Sequence, residues 1–243
     1  MNRLIFLFIF LIVSCSSKRD IVYLQGTSDI YSDYKDYLIN VDDILKIDVV
    51  SDVPEIVAQF NPDIQSSVQM NKDIMILNGY QVNSQGFIFF PGIGQIKVVG
   101  LTIMQLQKQI DNFLVDGGYL KNPIIDIKIL NSHFTILGEV NNPGRYEFLK
   151  NNLNIMEAIG MAGDLTITGK RNDVRIIRAD KIMQADLTSS NIKSNQIWQI
   201  FSGDVIIINP NRTKIKNAGI IGNSGTLLSL LSFILSSIIV INN

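Results

Sequence analysis

The chain has 243 residues, enough for two modest domains, and its 21 basic and 22 acidic side chains leave a formal net charge of −1. That balance excludes a general electrostatic attraction for nucleic acid. A single cysteine excludes intramolecular disulfides and cysteine-rich metal sites, the lone His133 excludes paired-histidine zinc motifs, and no glycine-rich phosphate loop followed by Lys-Ser/Thr is present.

At the amino end, Arg3 gives a short basic start and Leu4 to Val13 is an apolar run too short to span a bilayer. Residues 1–14 therefore read as a secretory signal. Ile12-Val13-Ser14-Cys15 follows, and it resembles the lipobox of bacterial lipoproteins. The resemblance implies cleavage before Cys15 and lipidation of that residue, with several fatty chains giving a stable anchor. The other reading is a signal followed by an incidental free thiol. Ser16, next to the cysteine, favours the outer membrane by analogy with enterobacterial lipoproteins. Residues 15–36 are expected to form a polar, lipidated tether.

Structure is expected from Tyr37. Apolar and charged residues alternate in Leu45-Lys46-Ile47-Asp48-Val49, as a half-buried strand requires. Phe87 to Phe90 and Ile96 to Val99 read as two short strands joined at Pro91-Gly92. Thr102 and Gln105 have the spacing of a capping box. Behind them Leu106, Ile110, Phe113 and Leu114 fall on one helical face, and Gly117-Gly118 ends the helix. Ile125, Ile127 and Ile129 then alternate with Asp126 and Lys128 in another strand.

A second unit begins near His133. Phe134 to Val140 reads as a strand, Asn142-Pro143-Gly144 as a turn, and Arg145 to Leu149 as the return. Asn154 is placed to cap a helix with Glu157 three residues on, and Gly163 ends it. Val174 to Arg178 and Val205 to Ile208 supply later strands; the second is apolar throughout, which predicts a central position. Both units run strand, turn, strand, capped helix, strand.

The carboxyl end, Ala218 to Asn243, carries no charged side chain. Ile220 to Ile241 would reach roughly 33 Å as a helix, enough for one membrane crossing. Gly222, Gly225, Ser229, Ser232 and Ser236 recur every three or four residues and form one stripe of small residues, suited to close helix packing or to lining a pore. They could equally dilute a plain apolar anchor. An inner-membrane placement would leave Arg212, Lys214 and Lys216 outside, against the positive-inside tendency.

Three stretches resemble outer-membrane polysaccharide export proteins of the Wza type. The first is Tyr37 to Val49, with Asp42 where the family usually has glycine. The second is Val82 to Thr102, through Gly86, Pro91-Gly92-Ile93-Gly94, Val98 and Gly100-Leu101-Thr102. The third is Leu137 to Tyr146, followed by Ala158, Ala162-Gly163 and Val174 to Arg178, which looks like a soluble-ligand-binding β-grasp (SLBB) domain. The resemblance implies an α+β chain of two small β-rich α/β domains, an export domain over 37–131 and an SLBB domain over 132–212, then a transmembrane helix over 218–241. It further implies a homo-oligomeric ring passing capsular polysaccharide or exopolysaccharide through the outer membrane. The domains would sit in the periplasm, with an inner-membrane polysaccharide co-polymerase, often a tyrosine kinase, as partner.

Single residues offer no catalytic, metal or cofactor role. His133 reads as structural, Asp42-Asp43 as a turn before a strand, and Trp198 and Phe201 as core packing in preference to sugar stacking. The expectation is therefore a non-enzymatic conduit. The competing reading is an envelope scaffold lipoprotein that binds polysaccharide or protein, with the tail a mere anchor.

Overall fold

Alternation along Ile44–Val50 builds strand β1, in which Leu45, Ile47 and Val49 are buried and the intervening side chains are not. The structure, a computed structural model, describes residues 21–26, 35–61, 72–189, 199–217 and 224–241. It is a mixed α/β chain with several sheets, few helices and two hydrophobic cores.

The first core lies under β1 and its neighbours. Short helices α1 (Pro54–Val57) and α2 (Lys72–Leu77) follow β1, then β2 (Tyr80–Gln81). Strands β3 (Phe87–Phe90) and β4 (Gly94–Lys97) form a hairpin, with Phe87 opposite Lys97 and Phe90 opposite Gly94. Sequence placed the return strand at Ile96 to Val99. The amides of Val98 and Val99 instead both donate to the Gly86 carbonyl, at 2.9 and 3.2 Å, and so leave the ladder early. Helix α3 (Ile103–Asp116) starts on the expected capping box: the Gln105 amide donates to Thr102 Oγ1 at 3.2 Å, and the Thr102 amide to Gln105 Oε1 at 2.9 Å. Leu106, Ile110 and Leu114 are buried, but Phe113 is 42% exposed. At about 100° per residue Phe113 falls on the rim of the stripe those three residues define. Strand β5 (Ile124–Ile129) closes an antiparallel sheet in the order β2-β1-β5.

The second core lies on a five-stranded sheet. Its strands are β6 (His133–Gly138), β7 (Gly144–Glu147), β9 (Gly169–Arg178), β10 (Lys181–Ala185) and β12 (Val205–Pro210), in the order β10-β9-β12-β6-β7. Strand β12 is central as expected, parallel to β6 and antiparallel to β9, with Ile206 and Ile208 buried. Strand β6 stops at Gly138, short of Val140, because Gly138 turns to φ +92°. Helix α4 (Ile155–Met161) carries the second expected capping box, Asn154 with Glu157. A short pair, β8 (Leu153–Asn154) with β11 (Gln199–Ile200), lies beside it. Helices α5 (Arg212–Asn217) and α6 (Ser224–Ile241) complete the described chain.

Two expectations for the ends need correction. The tether is not a plain spacer throughout, since Tyr23 and Leu24 pack against the second core and the Leu24 amide donates to the Leu187 carbonyl at 2.9 Å. At the other end, the crossing expected of the carboxyl segment is not supported. Among the described residues no helix is long and apolar enough to cross a membrane. Helix α6 has 18 described residues, and the rest of the segment expected to cross, residues 218–223, lies outside the described residues.

Candidate functional site

The two units meet around a cavity of about 630 Å³, lined by the chain entry at residues 35–43, by Asn131 and His133 at the crossover, and by Arg178 and residues 201–204. Each wall is held by a polar group that sequence spacing alone does not pair.

On the first wall, the Tyr37 hydroxyl donates to the carboxylate of Asp43, at 3.1 and 3.0 Å from its two oxygens. The Asn40 amide donates to Asp43 Oδ2 at 2.7 Å, and Asn40 Nδ2 donates to the Tyr37 oxygen at 3.1 Å. Asp42, at φ +68°, makes the turn that points Asp43 inward. Asp43 is only 5% exposed, and burial pushes its carboxyl above the ordinary range although the Asn40 amide and the Tyr37 hydroxyl pull the other way. Burial likewise raises the Tyr37 hydroxyl, so it stays a proton donor.

On the second wall, Arg178 forks onto Asp204: Nε reaches Oδ1 at 2.8 Å and an Nη reaches Oδ2 at 2.7 Å. The same Nη donates to the Gln199 carbonyl at 2.7 Å, and the Phe201 amide donates to Asp204 Oδ2 at 2.8 Å. The Asp204 side chain is fully buried and that of Arg178 is 25% exposed. The guanidinium lies 4.3 Å from the centre of the Phe201 ring, which also stacks on Tyr37 with centroids 6.2 Å apart. Tyr37 thus touches both walls.

Two side-chain amides hold the rim of the cavity, one within the first unit and one across the seam. Asn131 accepts from the Ile44 amide at 2.9 Å and donates to the Asp42 carbonyl at 2.8 Å. Gln199, 2% exposed, exchanges two hydrogen bonds with the Lys35 backbone at 2.9 and 2.8 Å. The carboxylates of Asp43 and Asp204 are occupied by structural donors of their own units, which leaves neither placed as a general base; the Gln199–Lys35 pair and the Tyr37–Phe201 stack join one unit to the other. Among the described residues no group of three or more His, Cys, Asp or Glu side chains could hold a metal ion.

The structure distributes the residues singled out from sequence unevenly. Cys15, Trp198 and Gly222 lie outside the described residues. His133 is half-buried on the cavity wall, its Nδ1 3.0 Å from the Asn131 carbonyl oxygen. Phe201 is half-buried between Arg178 and Tyr37 and not in either core. Gly225, Ser229, Ser232 and Ser236 are all exposed on α6. Ser232 Oγ donates to the Ser229 carbonyl at 2.9 Å, and Ser237 Oγ to that of Phe233 at 2.8 Å. Those hydroxyls are satisfied within their own helix, which suits apolar surroundings. Sequence reasoning missed the Tyr37–Asp43 and Arg178–Asp204 pairs. The one local signal was Asp204 behind Gly203 at the head of an apolar strand, where a charge must find a partner.

Residues 32–130 match the family model for polysaccharide biosynthesis/export protein, and residues 133–186 match that for the SLBB domain. The chain carries a polysaccharide biosynthesis/export domain followed by an SLBB domain. The cavity therefore sits where the two matched regions meet, at Asn131 to His133. The chain is similar to the EPS I polysaccharide export outer membrane protein EpsA of Ralstonia nicotianae, at 29% identity over 174 residues, covering 64% of this chain and 44% of the relative. The protein of the same name from Ralstonia solanacearum is 30% identical over 155 residues, covering 60% of this chain and 40% of the relative. The chain thus spans less than half the length of these curated relatives.

Proposed function

We propose that this chain is a non-enzymatic component of polysaccharide export at the outer membrane, lipidated at Cys15, with both units in the periplasm. Copies close into a ring whose lumen passes a capsular polysaccharide or exopolysaccharide, and an inner-membrane polysaccharide co-polymerase feeds it. The observation that carries this reading is an export domain joined to an SLBB domain by the Gln199–Lys35 pair and the Tyr37–Phe201 stack, in a chain similar to proteins named for polysaccharide export. A ring that guides a polymer needs subunits of fixed shape, and the seam gives that fixity.

Helix α6 supports assembly of copies at the lipid. Leu228, Phe233, Ile234, Leu235 and Val240 are between 53% and 76% exposed. A free-standing apolar helix of this kind is covered by lipid or by other helices. The small residues at 225, 229, 232 and 236 share one side and would let helices approach closely.

Deleting residues 218–243 should abolish surface polysaccharide while leaving a folded protein in the envelope fraction, read by anti-polysaccharide labelling of intact cells and by protease resistance of the two units. Normal surface polysaccharide after that deletion rejects the conduit and favours a scaffold.

A further inference from the structure

One short loop, Asp164 to Gly169, holds both ends of the described two-unit body. From the amino side, the Tyr23 hydroxyl donates to Asp164 Oδ1 at 2.5 Å, and the guanidinium of buried Arg171 lies 5.0 Å from the centre of the Tyr23 ring. Arg171 is itself held by the loop, donating to the Thr166 and Gly169 carbonyls at 3.3 and 3.0 Å. The Gln25 amide donates to the Thr188 carbonyl at 2.6 Å, laying the segment along the second unit. From the carboxyl side, the Asn211 amide donates to the Thr168 carbonyl at 2.7 Å and Asn211 Nδ2 to that of Ile167 at 3.4 Å. Glu139 Oε2 accepts from Thr166 and Thr168, at 2.9 and 2.6 Å, while its other oxygen pairs with Lys214 of α5. These donors hold the Glu139 carboxyl below its ordinary range, so the link to α5 is intact at neutral pH.

The outer side of this clamp carries two exposed isoleucines beside the cations of α5. Ile167 is 67% exposed and Ile215 61%. Beside them Arg212 and Lys214 of α5 are exposed, Lys214 reaching back to Glu139, and α5 carries no acidic residue. Apolar tips framed by cations match the boundary layer of a bilayer, where the tips enter the acyl region and the cations meet phosphate. Leu77 and Ile182 are as exposed, but neither belongs to the loop that gathers both ends.

Chain length supplies the second argument. Ile21 lies six positions after Cys15, a reach of at most about 20 Å, and Ser224 seven positions after Asn217, at most about 25 Å. We propose that the face formed by the loop 164–169 and α5 is a lipid-docking surface: Ile167 and Ile215 insert at the headgroup boundary of an acidic phospholipid membrane, while the clamp holds the second unit against it. This rests on the lipid anchoring proposed above.

The test uses the full chain in vesicles of phosphatidylethanolamine with phosphatidylglycerol. Single cysteines at Ile167→Cys, Ile215→Cys, Leu77→Cys and Ile182→Cys each carry a nitroxide, and collision with a water-soluble nickel chelate is measured. Mass spectrometry of the amino-terminal peptide reads the state of Cys15 separately; where its thiol is free, Cys15→Ser replaces it. Collision should be roughly tenfold lower at 167 and 215 than at 77 and 182. Equal collision at all four positions, or shielding at 77 in place of 167, overturns the docking surface. Shielding at 167 and 215 with an unlipidated Cys15 upholds the surface and removes the anchor. A lipidated Cys15 without shielding does the reverse.

Discussion

Replacing Asp204 with alanine should lower the unfolding midpoint by about 10 °C. The Asp204 side chain is fully buried and satisfies Arg178 through two bonds and the Phe201 amide through a third. Its loss takes the carboxylate from a guanidinium that remains three-quarters buried over the Phe201 ring. Breaking a buried ion pair from one side costs about 3–5 kcal/mol. The partial exposure of Arg178 places this case near the lower figure, and a chain of this size loses roughly 2–4 °C per kcal/mol. The seam loosens with it, because Arg178 also anchors the Gln199 carbonyl, and Gln199 holds the chain entry at Lys35. Scanning calorimetry of the full chain reads the shift; a midpoint within about 2 °C of the parent would show that the pair contributes little.

Gly138→Ala is expected to destabilise the second unit by about 3 kcal/mol. Gly138 sits at φ +92°, and a Cβ there would lie 2.1 Å from the Ile208 carbonyl oxygen. Backbone cannot yield as a flexible side chain can, so β6 and β12 must part at the register position where Gly138 faces Ile208. The Glu139 amide, which donates to that same Ile208 oxygen at 3.0 Å, is displaced as well. A left-handed conformation adds about 1–2 kcal/mol of strain for a residue bearing a Cβ. Gly144→Ala is the control, because a Cβ there meets nothing within 4 Å. A urea titration by circular dichroism should show a clear midpoint drop for the first variant and almost none for the second. Equal midpoints would contradict the close approach of β6 and β12.

Sequence made the local elements legible and left the long-range pairings hidden. The alternation at Leu45 to Val49, the two capping boxes and the central, wholly apolar strand at Val205 to Ile208 each follow from period or hydrogen-bond chemistry within a few residues. Arg178 and Asp204 are 26 positions apart, and Lys35 and Gln199 are 164 apart. Nothing local marks such partners until the sheet order brings them together. Tyr23 was unreadable for the same reason, as its ring finds Arg171 and Asp164 only after the second core has formed. Phe113 fell to a finer effect, lying at the rim of a stripe whose centre was placed correctly. At the carboxyl end, hydropathy marks an uncharged run but not a crossing, and no helix long and apolar enough to cross a membrane is found among the described residues.

Particle imaging of the full-length protein, extracted with mild detergent and viewed by electron microscopy without imposed symmetry, tests the conduit reading most directly. The account predicts closed rings with rotational symmetry around a central opening. Particles no larger than a monomer or dimer, from cells whose surface polysaccharide is intact, would contradict it.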